Sequence, residues 1–343
     1  MSPPTELSYV VPIRWHDGEQ RQELAAYLAL IAPHCAEVIV VDGSPAEVFA
    51  ANAEAFAGHA THVPPAETES WLMGKVSGVR TGLRLASNER VVIADDDVRY
   101  EPEGLRRAAE LLEQYDLVRP QNYFDRLPWH ARWDTARTLL NRSLGRDYPG
   151  TLAVRRSRVL AMGLYDGDVL FENLELIRTV RAHGGSTAAP LDLYVARVPP
   201  SAAHFWGQRT RQAYDDFALP LRMTLWLAVV PLLLFAAFKR RIRLSAQRGV
   251  SRIRWAGPAS AAALAVAAAE RGRRRAGGAR VFPATSSLLA PVWILERGVC
   301  AWLAVVQRLR FGGVRYGDSV ITVAAHSERQ LRRRVESVGG PPG

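Results

Sequence analysis

Three adjacent carboxylates, Asp95-Asp96-Asp97, follow the apolar run Val91-Val92-Ile93-Ala94. Side by side they repel one another, and each raises its neighbours' pKa unless a cation neutralises them. A hard divalent ion with oxygen ligands, Mg²⁺ or Mn²⁺, suits such a site, above all where phosphate oxygens complete its shell. In an extended chain Asp95 and Asp97 point one way and Asp96 the other, so a D-x-D pair can share one ion. The alternative is a solvated acidic turn capping the helix that starts at Pro102. A further carboxylate, Asp42, ends the run Glu37–Asp42 (EVIVVD) and stands before Gly43-Ser44-Pro45. It either faces a ligand or caps the helix that begins near Pro45.

The elements that must position these groups follow a regular alternation. Leu7–Ile13, Glu37–Asp42 and Glu89–Asp95 read as strands, with shorter ones at Leu117-Val118 and Thr151–Arg155. Glu19–Leu30, Leu72–Ala86, Pro102–Gln114 and Leu174–Ala182 read as helices. Apolar strands separated by helices of this length predict an α/β fold with a mostly parallel sheet covered on both faces. Ligands of such sheets bind beyond the carboxyl ends of the strands. Asp42 and Asp95–Asp97 fall at two such ends, so separate strands deliver carboxylates to one crevice. Residues 120–150, rich in Trp, Arg and Pro, read as an irregular substrate loop, with Trp129, His130 and Trp133 open to acceptor contact or to packing. Gly74-Lys75 is no P-loop, because position 69 holds Glu where GxxxxGK needs glycine.

The chain has 343 residues, 48% hydrophobic and 23% charged, which excludes both a disordered chain and a polytopic channel. Its length allows one large domain with an appendage, or two domains. Cys35 and Cys300 lack the spacing of a disulfide framework or a zinc knuckle, which points to a reducing compartment. Met1–Glu6 shows no basic-then-apolar pattern of a secretory signal. The net charge of +10 is uneven: residues 201–343 carry +16 and residues 1–200 carry −6. Such asymmetry implies a polyanionic partner, nucleic acid or anionic lipid. The basic residues flank apolar segments, which favours lipid.

Leu219–Phe238 is 20 residues long with one charge, Arg222, close to the length that spans a bilayer. Trp255–Ala269 is Ala-rich and too short for an untilted span, and Leu288–Leu309 is interrupted by Glu296-Arg297. Arg209, Arg211 and Arg222 precede or begin the first segment, and Lys239-Arg240-Arg241-Arg243 follow it. A single crossing would set one basic end outside, against the positive-inside tendency. A re-entrant hairpin hinged at Pro231, or helices lying in the interface, keeps both ends on one side. Each basic residue beside anionic headgroups contributes about 1 kcal/mol.

Taken in order, VVDGS (Val40–Ser44), Gly74-Lys75, IADDDV (Ile93–Val98), FENLEL (Phe171–Leu176) and QRTRQ (Gln208–Gln212) resemble the GT-A glycosyltransferases of family 2. They are similar also to the related ceramide and hopanoid glucosyltransferases of family 21. The resemblance covers about residues 7–217 and extends to the apolar tail. It implies a GT-A, Rossmann-like catalytic domain over 1–217, membrane-associated helices over 218–310 and a basic tail over 311–343. It implies also a UDP- or GDP-sugar donor, Mn²⁺ or Mg²⁺ on the D-x-D, and inversion at the anomeric carbon. The acceptor would be a lipid or lipid-linked molecule at a membrane with anionic lipids, the catalytic domain would face the cytoplasm, and nucleic acid has no part.

Residue by residue, the resemblance assigns Asp42 to the nucleotide base or ribose, and Pro12, Lys75, Asp95 and Asp96 to the donor. Lys75 is one of only two lysines, and a compact ammonium suits a diphosphate. Asp97 would contact the metal directly, with Asp95 toward the ribose or a metal-bound water. The usual Glu-Asp pair stands here as Glu172-Asn173, and an amide cannot take a proton. Glu172 is then the candidate base, with Asp168 and Glu175 behind it; the alternative is a first-turn acid favoured by the helix dipole. In QRTRQ, Gln212 replaces the Trp of Q-x-x-R-W, while Gln208 and Arg211 share a helix face. With His204 and Trp206 they are assigned to acceptor or diphosphate contact, or to anchoring. Two other functions fit less of the pattern, a processive polysaccharide synthase and a catalytically degenerate glycosyltransferase-like binding protein.

Overall fold

A computed structural model describes residues 4–18, 20–246, 256–316 and 319–339. Met1–Pro3, Glu19, Trp255 and the last four residues of the basic tail lie outside the described residues, as do the side chains of Arg240, Arg241 and Arg243. The elements run β1 Thr5–Ile13, α1 Arg21–Ile31, β2 Cys35–Asp42, α2 Ala46–Phe56, β3 Thr61–Val63, α3 Gly74–Leu85, β4 Arg90–Ala94, β5 Val98–Arg99 and α4 Pro102–Leu111. Next come β6 Leu117–Val118, β7 Gln121–Phe124, α5 Trp129–Leu144, β8 Thr151–Arg155, α6 Arg156–Ala161, α7 Glu172–Ala182, β9 Thr187–Ala188 and β10 Tyr194–Arg197. The remainder is α8 Ala202–Tyr214, α9 Pro220–Ala246, α10 Ala256–Arg274, α11 Ala284–Leu288, α12 Ala290–Phe311, β11 Val314–Tyr316, β12 Ser319–Ile321 and α13 Glu328–Gly339.

Two compact units share the chain: Met1–Asp125 with Tyr148–Val198 and Arg315–Gly343, and Arg126–Asp147 with Pro199–Val314. The division expected at residue 217 is therefore not the one seen. The segment from Arg315 returns to the first unit instead of trailing as a basic tail. Val169 pairs with Val323, the Leu170 and Phe171 amides donate to the Val323 and Ala324 carbonyls at 3.0 and 2.8 Å, and α13 packs on α7.

The first unit is built on a seven-stranded sheet in the order β3-β2-β1-β4-β8-β6-β9. β1 is parallel to β2 and β4, while β8 runs antiparallel to β4 and β6. Central β1 is buried from Leu7 to Ile13 on both faces, which explains its mostly apolar run. In that stretch Ser8 donates to Glu37 at 2.6 Å and the Tyr9 hydroxyl meets that of Tyr27 at 3.2 Å. Side chains such as Leu24, Leu28, Ile31, Phe56, Leu105 and Ala108 close the core; each large one buried contributes about 1.5–3 kcal/mol. Helix α3 lies close against β1 because Gly78 and Gly82 carry no Cβ. A methyl group there would come within 2.9 Å of Pro12 Cβ and 2.3 Å of Val10 Cγ1.

The second unit is helical. Residues 120–150 are not the irregular loop expected: β7, in the first unit, and the 16-residue helix α5, in the second, occupy them. The helix escaped detection because its buried face holds His130, Asp134, Thr135, Thr138 and Arg142 beside Ala131, Ala136 and Leu139, so no apolar period marks it. Arg142, wholly buried, donates to the carbonyls of Gly272 at 3.3 Å and Arg275 at 2.9 Å, capping the end of α10. Helix α9 includes Pro220–Lys239, 20 residues of mean hydropathy 2.0, long and apolar enough to cross a membrane.

α9 is continuous through Pro231, so no hairpin is hinged there. Proline removes the amide that would bond the carbonyl four residues earlier. That carbonyl, Leu227 O, instead accepts from the Trp302 indole on α12 at 3.1 Å. Helix α12 is not interrupted by Glu296-Arg297 either: Glu296 pairs with Arg209 at 2.5 Å and Arg297 with Asp216 at 3.1 Å, both turned inward. Its outward residues Val292, Leu295, Val299, Leu303 and Val306 are exposed and apolar.

Candidate active site

The parallel register of β1, β2 and β4 sets their carboxyl ends on one edge of the sheet, where Pro12, Asp42 and Asp95 stand. Asp42 is 1% exposed. Its oxygens accept from the Ser44 amide at 2.8 Å, Asn52 Nδ2 at 2.8 Å and His62 Nε2 at 3.0 Å. Burial pushes its pKa up, but these hydrogen bonds outweigh burial and hold it below the usual carboxylate value. Asp42 is therefore a structural tie between β2, α2 and β3, and α2 starts at Pro45 without its help. Pro12 is buried and shapes the β1 end against α3.

After Ala94 the chain turns instead of extending, with the Val98 amide donating to the Asp95 carbonyl at 3.0 Å. The turn still divides the three carboxylates as alternation predicts. Asp96 accepts from the Trp15 indole at 2.7 Å, whereas Asp95 and Asp97 face cations. Burial, then the Asp97 charge, raises the Asp96 pKa to about 6. Lys75, in the first turn of α3, bridges two carboxylates: its Nζ lies 2.5 Å from Asp95 Oδ1 and 2.7 Å from Glu172 Oε1. Burial would lower the Lys75 pKa, yet Asp95 and Glu172 hold it well above the ordinary value. Glu172, the first residue of α7, is thereby brought beside the aspartate turn. The adjacent Asn173 donates to the Pro149 carbonyl at 3.1 Å, which fixes the approach to Gly150.

Arg197, which sequence reasoning missed, completes the group. Its Nε donates to Asp97 Oδ1 at 3.0 Å and Nη2 to Oδ2 at 2.5 Å, and the same Nη2 lies 4.0 Å from Asp95 Oδ2. Gly150 makes room for this: a Cβ there would sit 2.6 Å from Asp95 Oδ2 and 3.1 Å from Arg197 Cζ. No pattern in Tyr194–Arg197 marks the arginine. Only the antiparallel pairing of Arg197 with Val98 carries it to the turn.

Asp95, Asp97 and Glu172 face two side-chain cations, Lys75 and Arg197, and Asp96 turns to the Trp15 indole, so the four carboxylates outnumber the two cations by two negative charges when all are ionised. Asp95 and Asp97 also direct oxygens toward one positive nitrogen. Hard oxygen donors converging with that excess charge fit a divalent cation.

The remaining candidates fall elsewhere. Asp168 accepts from the Leu72 amide at 3.0 Å and clasps the loop before α3. Glu175 does not face solvent or substrate. It is wholly buried and accepts from the His326 amide at 2.7 Å and from His326 Nδ1 at 2.9 Å. His204, Trp206, Gln208 and Arg211 lie on α8 of the second unit. Arg211 and Gln208 do meet on one helix face, at 3.4 Å. Trp206 is 48% exposed and lies 6.0 Å from Trp129, itself 52% exposed, so the pair forms an aromatic patch with Trp133 and Phe205.

Residues 28–166 match the model of glycosyl transferase family 2. No curated protein matches the chain by sequence. Among solved structures, the mannosyltransferase PcManGT from Pyrobaculum calidifontis, in complex with GDP-Man and Mn²⁺, is similar at 20% identity. The match covers 90% of this chain and 88% of that one, with a TM-score of 0.50. Glucosyl-3-phosphoglycerate synthase from Mycobacterium tuberculosis, with Mn²⁺, UDP and phosphoglyceric acid, is similar at 20% identity over 58% of this chain and 73% of that one, with a TM-score of 0.41. The fold is GT-A, and the protein is a glycosyltransferase.

Proposed function

We propose that this glycosyltransferase moves a hexose from a nucleotide-diphospho-sugar to a lipid or lipid-linked acceptor, with inversion and with a divalent metal. The observation that carries the reading is Lys75 Nζ held between Asp95 and Glu172, at 2.5 and 2.7 Å. One ammonium there joins the acidic turn suited to a divalent cation to a carboxylate suited to taking a proton. Asp97 and Asp95 would hold Mn²⁺ or Mg²⁺. When bound, the ion supplies Lewis-acid stabilisation of charge on the departing nucleoside diphosphate.

The chain's own groups do the rest. The acceptor hydroxyl oxygen forms a bond to the anomeric carbon from the face opposite the diphosphate, and the bond from that carbon to the diphosphate oxygen breaks. Glu172, held beside the aspartate turn through Lys75, takes the hydroxyl proton. Lys75, fixed by α3, provides positive charge for the diphosphate. The GDP-Man and Mn²⁺ bound by the similar mannosyltransferase agree with this assignment.

The membrane part of the reading rests on α9 and on the apolar outward face of α12. Their Leu, Val and Phe side chains are exposed, and large exposed apolar patches mark surfaces that meet a membrane or another protein. A catalytic domain facing the cytoplasm and anionic lipids follow from the basic residues beside those helices.

The test is a thermal-shift screen of UDP- and GDP-sugars with Mn²⁺ on the detergent-solubilised chain, since a ligand at 100 times its Kd stabilises by about 2.7 kcal/mol. One donor class should raise the melting temperature, and Asp97→Ala should abolish the rise and the turnover. A flat screen would refute the donor reading, and binding without turnover would favour the degenerate protein.

A further inference from the structure

Arg197 occupies the point toward which Asp95 and Asp97 both direct oxygen. Its guanidinium makes a two-nitrogen contact with Asp97, and the same Nη2 stands 4.0 Å from Asp95. The arrangement is built rather than incidental. β10 is hydrogen-bonded to β5 beside the aspartate turn, the Val198 amide donates to the Asp97 carbonyl at 2.8 Å, and Gly150 leaves the space in which the groups meet. A guanidinium and a divalent ion cannot share those oxygens at contact distance, since like charges so close repel strongly.

Resting on the reading above that Asp97 and Asp95 hold the metal, we propose that Arg197 is a displaceable counter-ion. In the donor-free protein it neutralises the metal-binding carboxylates. A diphosphate, whose oxygens accept the planar fork of an arginine, draws the guanidinium off Asp97 and opens the oxygens to the cation. Donor and metal then bind as one event, each strengthening the other by the same factor. Arg197 thus acts twice: it keeps the donor-free acidic turn from taking up metal alone, and it adds a second positive group to the diphosphate beside Lys75. It is a positioning residue for the metal, acting through Asp97.

The experiment uses the full chain in detergent and titrates Mn²⁺ alone, reading the free ion by electron paramagnetic resonance, then repeats the titration with GDP and with UDP. In the wild-type protein, Mn²⁺ binding should strengthen about tenfold or more when the fitting nucleoside diphosphate is present, within the range of site-to-site couplings. In Arg197→Gln, Mn²⁺ alone should bind about tenfold more tightly than to wild type, and the gain from the diphosphate should shrink toward none. Arg197→Lys, which keeps the charge and the fold but loses the fork, should fall between. Arg197→Gln and Arg197→Lys binding Mn²⁺ no more tightly than wild type would overturn the counter-ion role while leaving the metal reading intact. No Mn²⁺ uptake by any of the proteins, with or without GDP or UDP, would overturn the metal reading and this proposal together.

Discussion

At the scale of single residues, the site is an exercise in charge bookkeeping across long sequence separations. Asp95 was visible as part of a carboxylate triplet, but its partner Lys75 is visible only as an unusual lysine in an arginine-rich chain. Glu172 lies 97 residues from Lys75, and Arg197 lies 100 residues from Asp97. Glu175, one turn beyond Glu172, shows how little spacing alone says about role: its neighbour across space is His326, 151 residues away. Asn173, which costs the motif its usual second acid, holds the Pro149 carbonyl and so the Gly150 segment behind Asp95. The base assignment is tested by Glu172→Gln. Replacing the carboxylate by an amide of the same shape should lower kcat about 10²–10⁴-fold with little change in donor KM, measured by steady-state kinetics. Unchanged kcat would remove Glu172 from that role. Cys35, by contrast, takes no part: burial pushes its thiol up to about 12, so it stays protonated and inert.

At the scale of elements, ion pairs decide what local pattern leaves open. Helix α5 has no apolar period because its buried side is charged. Asp134 on it faces Arg137 at 3.3 Å and Arg209, which is 2% exposed, at 2.9 Å. Burial raises the Asp134 pKa, but the two guanidinium groups outweigh burial and hold it well below the usual carboxylate value. A carboxylate depressed in the folded state stabilises fully above its unfolded pKa, near 4, and that contribution fades as pH falls below it toward the folded value. Melting temperature followed from pH 6 to pH 2 should therefore drop below about pH 4. Asp134→Asn, which strands Arg209 and Arg137 with less compensation, should cost about 3–5 kcal/mol at neutral pH and flatten that acid limb. A neutral-pH melting temperature equal to wild type would show that the buried network contributes nothing net. The same logic explains α12, whose Glu296 and Arg297 looked like an interruption in one dimension and are paired inward in three. It also explains α9, whose proline costs an amide but leaves a carbonyl that Trp302 satisfies.

At the scale of the whole molecule, the chain joins a GT-A unit to a helical unit with an exposed apolar surface and basic flanks. The chain enters the helical unit twice, through Arg126–Asp147 and Pro199–Val314, and returns to the first through Arg315–Gly343. Cutting at residue 217 would therefore remove the Val323-Ala324 segment and the helix α13 that brace Leu170, Phe171 and α7, and the truncated protein should melt at a lower temperature than the whole chain. The membrane reading belongs at this scale too. Full-length protein should float with vesicles containing anionic lipid and stay with them in high salt, because burial of apolar side chains does not weaken with ionic strength as charge pairing does. Release by salt alone would mean attachment by charge only, and recovery in the soluble fraction without detergent would end the membrane proposal.

The amino-acid order by itself determined the alternation of strands and helices, the delivery of carboxylates to the carboxyl ends of β2 and β4, and the presence of one long apolar helix. Those features are written locally, in hydrophobic period and in residue type at strand ends. Only the tertiary structure decided which acids meet cations, which are buried as ties, and where the compact units divide. Asp97 meets Arg197, Glu175 meets His326 and Leu227 meets Trp302 through contacts between segments far apart in sequence. Electrostatic partnership depends on distance in space, and no one-dimensional pattern encodes it.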